Sequence, residues 1–155
     1  MGASGCRGTV NLRDQLTRAG RLGHPWDMPI ALAAHHTSFP VRDVERSRAF
    51  YGGVLGLVEK PRPPALAAMF PGAWYEAGPC EVHLIQCPES MDIGTPPPTL
   101  NPMARHAAFA IADYAATVAE LKARGIAVLE TNADVGQMWV RDPDGHVIEL
   151  IVDRR

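Results

Sequence analysis

The chain repeats itself, and the repeat limits what it can fold into. His36-x-x-Phe39-x-Val41-x-Asp43 returns 70 residues later as His106-x-x-Phe109-x-Ile111-x-Asp113. Gly56 and Gly125, each placed to end a helix, stand 69 apart, and His83-Leu84-Ile85 and Glu149-Leu150-Ile151 stand 66 apart. One such match arises by chance, but an ordered set points to duplication of one structural unit. Each copy reads strand, helix, strand, strand, strand.

The first copy predicts a strand over 33–41, an N-cap at Asp43 and a helix over 44–54 closed by Gly56. Strands follow at 57–60, 73–76 and 81–86, with a structure-breaking Pro61-Arg62-Pro63-Pro64 between the first two. The second copy predicts a strand over 105–111, a helix over 114–124 after Asp113, and strands at 126–130, 137–141 and 146–152. Asp142-Pro143-Asp144-Gly145 suits a type I turn between the last two strands. This gives an α+β domain over 29–152. Module 1 spans about 31–87 and module 2 about 104–152. The linker over 88–103 holds Pro88, Pro96, Pro97, Pro98 and Pro102, a stiff composition. Residues 1–28 read as a flexible leader, mildly basic, without the apolar stretch of a secretory signal.

Composition narrows the partners. The chain has 155 residues, 46% apolar and 21% charged, which fits a folded domain and not a disordered one. Net charge is −2 with no basic tract, so nucleic acid and anionic membrane surfaces are not expected partners. No apolar run approaches the ~20 residues of a membrane helix. Three cysteines without a CxxC pair point to a reducing, cytoplasmic setting with packed thiols.

Four chemistry-bearing residues occupy matching places in the repeat. His36 and His106 lie in the first strand of each module, and His83 and Glu149 in the last. If the two sheets face each other, all four side chains point into one cleft. Glu149 lies in a strand apolar on both faces, where a carboxylate is costly unless paired or bound to metal. Three imidazoles and a carboxylate suit a divalent ion such as Zn, Ni, Co, Mn or Fe. A single strand histidine is more often a packed core residue than a ligand; the shared repeat positions argue for a site. Glu81 has the same strand parity as His83 and is a rival ligand. His35 points away by alternation, and His146 is expected to be exposed. Trp74, Tyr75 and Trp139 are candidate pocket walls, and Tyr51, on the first helix, is expected to be structural.

At these residues the sequence resembles the vicinal oxygen chelate superfamily, the glyoxalase/bleomycin resistance/extradiol dioxygenase group. The motifs are His36-Thr-Ser-Phe-Pro-Val-Arg-Asp43, Glu45-Arg-Ser-Arg-Ala-Phe-Tyr51 and Val54-Leu-Gly56. Later come Glu81-Val-His-Leu84, Arg105-His-Ala-Ala-Phe-Ala-Ile111 and Asp142-Pro-Asp-Gly-His-Val-Ile-Glu-Leu150. The resemblance implies two tandem βαβββ modules forming an eight-stranded, incompletely closed barrel around a metal cleft. It implies a homodimer, in which the site is often completed across the interface. The implied metal ligands are His36, His106, Glu149 and either His83 or Glu81. The implied activity is chelation of two neighbouring oxygens of a small-molecule substrate, in lyase, isomerase or dioxygenase chemistry, with Glu149 also able to act as general base. The alternative is a bleomycin-resistance-like protein that binds a small molecule without turnover.

Overall fold

A computed structural model describes residues 34–154. The leader expected over 1–28 lies outside the described residues. From His36 onward the chain forms one compact unit.

Both βαβββ modules are present. Module 1 comprises β1 (His36–Val41), helix α1 (Val44–Arg48) running on into a π-helical turn (Ala49–Val54), β2 (Val58–Lys60), helix α2 (Pro64–Met69), β3 (Gly72–Ala77) and β4 (Cys80–Gln86). Module 2 comprises β5 (His106–Ile111), helix α3 (Tyr114–Ala123), β6 (Leu129–Glu130), β7 (Gln137–Arg141) and β8 (Val147–Val152). The strands form two four-stranded sheets in equivalent orders, β1-β4-β3-β2 and β5-β8-β7-β6. In each, the first strand runs parallel to the last and the remaining pairs are antiparallel. Among the described residues the sheets stay separate, and no closed barrel forms.

The repeat is visible atom by atom at the helix starts. Asp43 caps α1 by accepting from the Glu45 and Arg46 amides, and Asp113 caps α3 by accepting from Ala116. The Ser47 and Thr117 hydroxyls each bond back to the carbonyl of their own capping aspartate. Gly56 and Gly125 both follow the helix end at φ +72°, where a side chain would be strained. The glycines stand one residue out of step with the histidines because module 1 carries an extra residue in its helix. The π-helical turn absorbs it, with the Leu55 amide bonding to the Phe50 carbonyl, the wider ring such an insertion produces.

Two of the expected elements need correction. The segment 61–64 does not only break structure: Pro64 opens α2, since a proline is tolerated in the first helical turn, where its missing N–H loses no bond. The strand expected over 126–130 is only Leu129–Glu130.

Each sheet has a covered and an open face. Phe39, Val41, Ala73, Tyr75, Val82 and Leu84 form the covered face of module 1, and Met138, Val140, Ile148 and Leu150 that of module 2. Together with Tyr51, Phe50, Val118 and Leu121 from the helices they build one hydrophobic core. Polar bonds join the modules beside this core. The Tyr51 hydroxyl donates to Asp142 Oδ2 (3.0 Å), the Arg42 amide donates to Asp144 Oδ1 (3.2 Å), and the His146 ring donates to the Pro40 carbonyl (2.7 Å). Tyr51 is therefore structural, as expected. His146 is half-buried against Phe39 (ring centroids 5.2 Å apart) and not exposed, because the turn before it tucks against module 1.

Candidate functional site

The open faces carry the candidate residues. Strand pairing sets Ser38, two residues past His36, opposite His83, and Trp74 on the far side of His83. In module 2 it sets Ala108, two residues past His106, opposite Glu149, with Trp139 on the far side. By register, His83 is therefore the counterpart of Glu149. Glu81 lies opposite His36 and matches Val147. Trp74 and Trp139 are counterparts too, each beside the titratable residue of its last strand. Tyr75 is not a wall of this site: strand alternation turns it to the covered face, where it is 1% exposed and burial pushes its hydroxyl up to about 12.

In module 2, His106 and Glu149 come together. His106 Nδ1 lies 2.7 Å from the Ala104 carbonyl. A carbonyl only accepts, so Nδ1 carries a proton. The other ring nitrogen, Nε2, faces Glu149 Oε2 at 2.9 Å. In the neutral ring that nitrogen holds a lone pair, so a lone pair and a carboxylate oxygen point at the same space. Such a pair is held together by a cation, either a proton on the ring or a metal ion. A backbone carbonyl on the far nitrogen is the arrangement that orients metal-bound histidines, and 2.9 Å lets two donor atoms share one ion at bonds of ~2.0–2.2 Å. The remaining oxygen, Oε1, accepts from Gln137 Nε2 at 2.9 Å. Glu149 is 7% exposed, so its carboxylate has exchanged water for these partners.

In module 1, the corresponding residues are held differently. The His83 ring lies flat between Trp74 (centroids 4.0 Å, planes 5° apart) and His36 (4.2 Å, 13°). This stack explains its burial. His83 Nε2 donates to Glu81 Oε2 at 2.8 Å, and Glu81 also takes the Lys60 ammonium. These two bonds, the one from His83 first, hold the Glu81 carboxyl down at about 2. With its Nε2 proton spent on Glu81, neutral His83 keeps one lone pair, at Nδ1.

The donor chemistry of the two pairs fits a divalent ion. The pairs are not gathered in one place, however: among the described residues no three His, Cys, Asp or Glu side chains form a group able to hold a metal. Sequence reasoning also missed two supporting residues, Lys60 and Gln137. Gln137 has the strand parity of Glu149, but its position beside that carboxylate follows only from the β7–β8 register.

A family model described as Glyoxalase/Bleomycin resistance protein/Dioxygenase superfamily matches residues 33–150. The chain belongs to this superfamily. It is 33% identical over 122 residues to Glyoxylase I 4 of Arabidopsis thaliana, covering 75% of this chain and 68% of that protein. Among solved structures it is similar to a glyoxalase family protein from Bacillus anthracis (27% identity, TM-score 0.64, 81% of this chain and 98% of that one). It is also similar to a glyoxalase/dioxygenase from Nostoc punctiforme (28%, TM-score 0.61, 79% and 92%). The vicinal oxygen chelate fold is thus the fold of this chain.

Proposed function

We propose that the protein is a metal-dependent enzyme of the glyoxalase type, acting on a small molecule that presents two neighbouring oxygens. The observation that carries this reading is the His106–Glu149 pair, with the lone-pair nitrogen 2.9 Å from the carboxylate and the far nitrogen fixed by a carbonyl. His36, His83, His106 and Glu149 would hold the ion, one of Fe, Ni, Co, Zn or Mn. A bound ion of this kind supplies Lewis acidity to the chelated oxygens.

The chain's own residues do the rest. Gln137 fixes Oε1 of Glu149; Oε2 would serve as ligand in the resting site and, once released from that role, would be the atom that takes a proton from the carbon beside the chelated oxygens. That role favours lyase or isomerase chemistry over dioxygenase chemistry. Trp74 and Trp139 flank the last-strand residues and limit water there. Each open face carries half of the donors, so we take the functional unit to be a homodimer. In it, His36 and His83 of one chain meet His106 and Glu149 of the partner subunit.

The stacked and hydrogen-bonded state of His83 favours a second reading, a binding protein that holds its small molecule without turnover. Metal content separates the two. Protein purified without chelator should hold near one equivalent of a first-row divalent ion per chain, and Glu149→Gln should lose it with the circular dichroism spectrum unchanged. No metal on the wild type, and none regained on titration, would overturn the metal-enzyme reading and favour the second.

A further inference from the structure

A cavity of about 270 Å³ lies where the linker crosses the end of the second sheet, between residues 93–97 and the turn 144–147, with Ala104 and Arg105 closing it. Its walls are built, not accidental. Pro96 packs so closely on Gly145 (φ +88°) that a Cβ there would come within 2.6 Å of the proline ring, and the Arg141 guanidinium ties the Pro97 carbonyl to β7. Ile93, Pro96, Pro97 and Val147 supply apolar surface.

The cavity's charges are unequal in their freedom. Among the described residues Asp144 is the only acid in the lining, and it is turned away. Its Oδ1 accepts from the Arg42 amide and faces Arg46 at 3.5 Å, its Oδ2 takes the Ser47 hydroxyl, and its side chain is 3% exposed. The His146 ring is spent on the Pro40 carbonyl. Arg105 is exposed and, among the described residues, has no hydrogen-bond or ion-pair partner. The Thr95 hydroxyl is likewise unengaged. The lining thus offers a cation and a hydroxyl donor with no competing free carboxylate, over an apolar floor. Such a pair recognises a carboxylate or a phosphate-type group.

The cavity also adjoins the candidate site. The carbonyl of Ala104, in its wall, accepts the hydrogen bond from His106 Nδ1; Arg105 precedes His106; and Val147 is the cross-strand partner of His106.

We infer that Arg105 and Thr95 form a subsite for an anionic oxygen group, and that the substrate of the adjoining site carries a carboxylate or phosphate-type group away from its chelating oxygens. The second half of this inference rests on the proposed metal-site reading; the anion site itself does not. The test therefore uses metal-free protein. Inorganic phosphate and acetate are titrated separately into the ¹⁵N-labelled full chain, and amide and arginine side-chain shifts are followed. The expected result is saturable shifts confined to residues 93–97, 104–106 and 144–147. In Arg105→Gln they should need at least about tenfold more ligand, with partial recovery in Arg105→Lys. Tighter binding of phosphate or of acetate identifies which anion the site prefers. Absence of saturable shifts with both probes, or equal shifts in Arg105→Gln, overturns the subsite and leaves the metal reading standing.

Discussion

The two modules are copies in fold and opposites in chemistry. At one place in the last strand, module 1 carries His83 and module 2 carries Glu149, each with a tryptophan beside it on the neighbouring strand. The imidazole is flat and aromatic, so it packs between Trp74 and His36 and spends a proton on Glu81. The carboxylate cannot stack, so one of its oxygens accepts from Gln137 and the other faces His106 Nε2. The counterpart of Gln137 in module 1 is Gly72, where a Cβ would come within 2.4 Å of the Leu84 carbonyl. Module 1 has no room for a residue that would hold a carboxylate as Gln137 does. One duplicated scaffold thus yields a base-bearing half and a ring-bearing half, and the contrast lies in single side chains together with a closer backbone approach at Gly72.

Removing the support that only module 2 possesses should have the largest effect. Gln137→Ala frees Glu149 Oε1 and should weaken metal binding about 10–100-fold, measured by competition with a chelator of known affinity. The same experiment on Lys60→Ala, whose ammonium bonds among the described residues to Glu81 alone, should change affinity far less. Equal losses would erase the difference between the halves.

The ring stack of module 1 sets the next effect. Trp74→Leu keeps apolar bulk but removes the flat partner of His83, and should lower stability by about 0.5–1.5 kcal/mol, the range of an aromatic pair. Urea unfolding checks this. A change of similar size at Trp139→Leu would have to come from lost packing alone, since Glu149 offers no ring to stack on.

The smallest effect is a pH dependence carried by module 1. Glu81 is held at about 2 in the folded chain against 4.5 ordinarily. A depressed carboxyl stabilises the fold fully above its unfolded value, and the contribution fades as pH falls from about 4.5 towards 2. The stability gap between wild type and Glu81→Gln should therefore be present at pH 6 and shrink steadily over that window. A gap that widens with acid would mean that the His83 and Lys60 bonds do not hold the carboxylate.

Much of this was legible in the sequence, for identifiable reasons. The modules could be read because Asp43 and Asp113, Gly56 and Gly125, and the first-strand histidines recur in order, and local capping fixes the helix ends. Helix α2 was hidden because four residues containing three prolines read as a breaker, while Pro64 in fact opens the helix. The choice between His83 and Glu81 as the counterpart of Glu149 could not be made from offsets, because the loops differ in length between the copies. Only the pairing of Ser38 with His83 and Ala108 with Glu149 aligns them. The tie between Glu81 and His83 was likewise invisible, since two residues on one strand face share a parity without revealing whether their side chains touch.

The central claim is that each module supplies one half of a metal site and that two chains complete it. The most direct measurement mixes two dead variants, His36→Ala/His83→Ala and His106→Ala/Glu149→Gln, unfolds and refolds them together, and counts bound metal. Each mixed dimer would rebuild one intact site, so the mixture should regain about a quarter of the wild-type metal while neither variant alone binds any. A mixture as empty as its parents, beside a wild type that binds metal fully, would contradict the claim and put all the ligands in one chain.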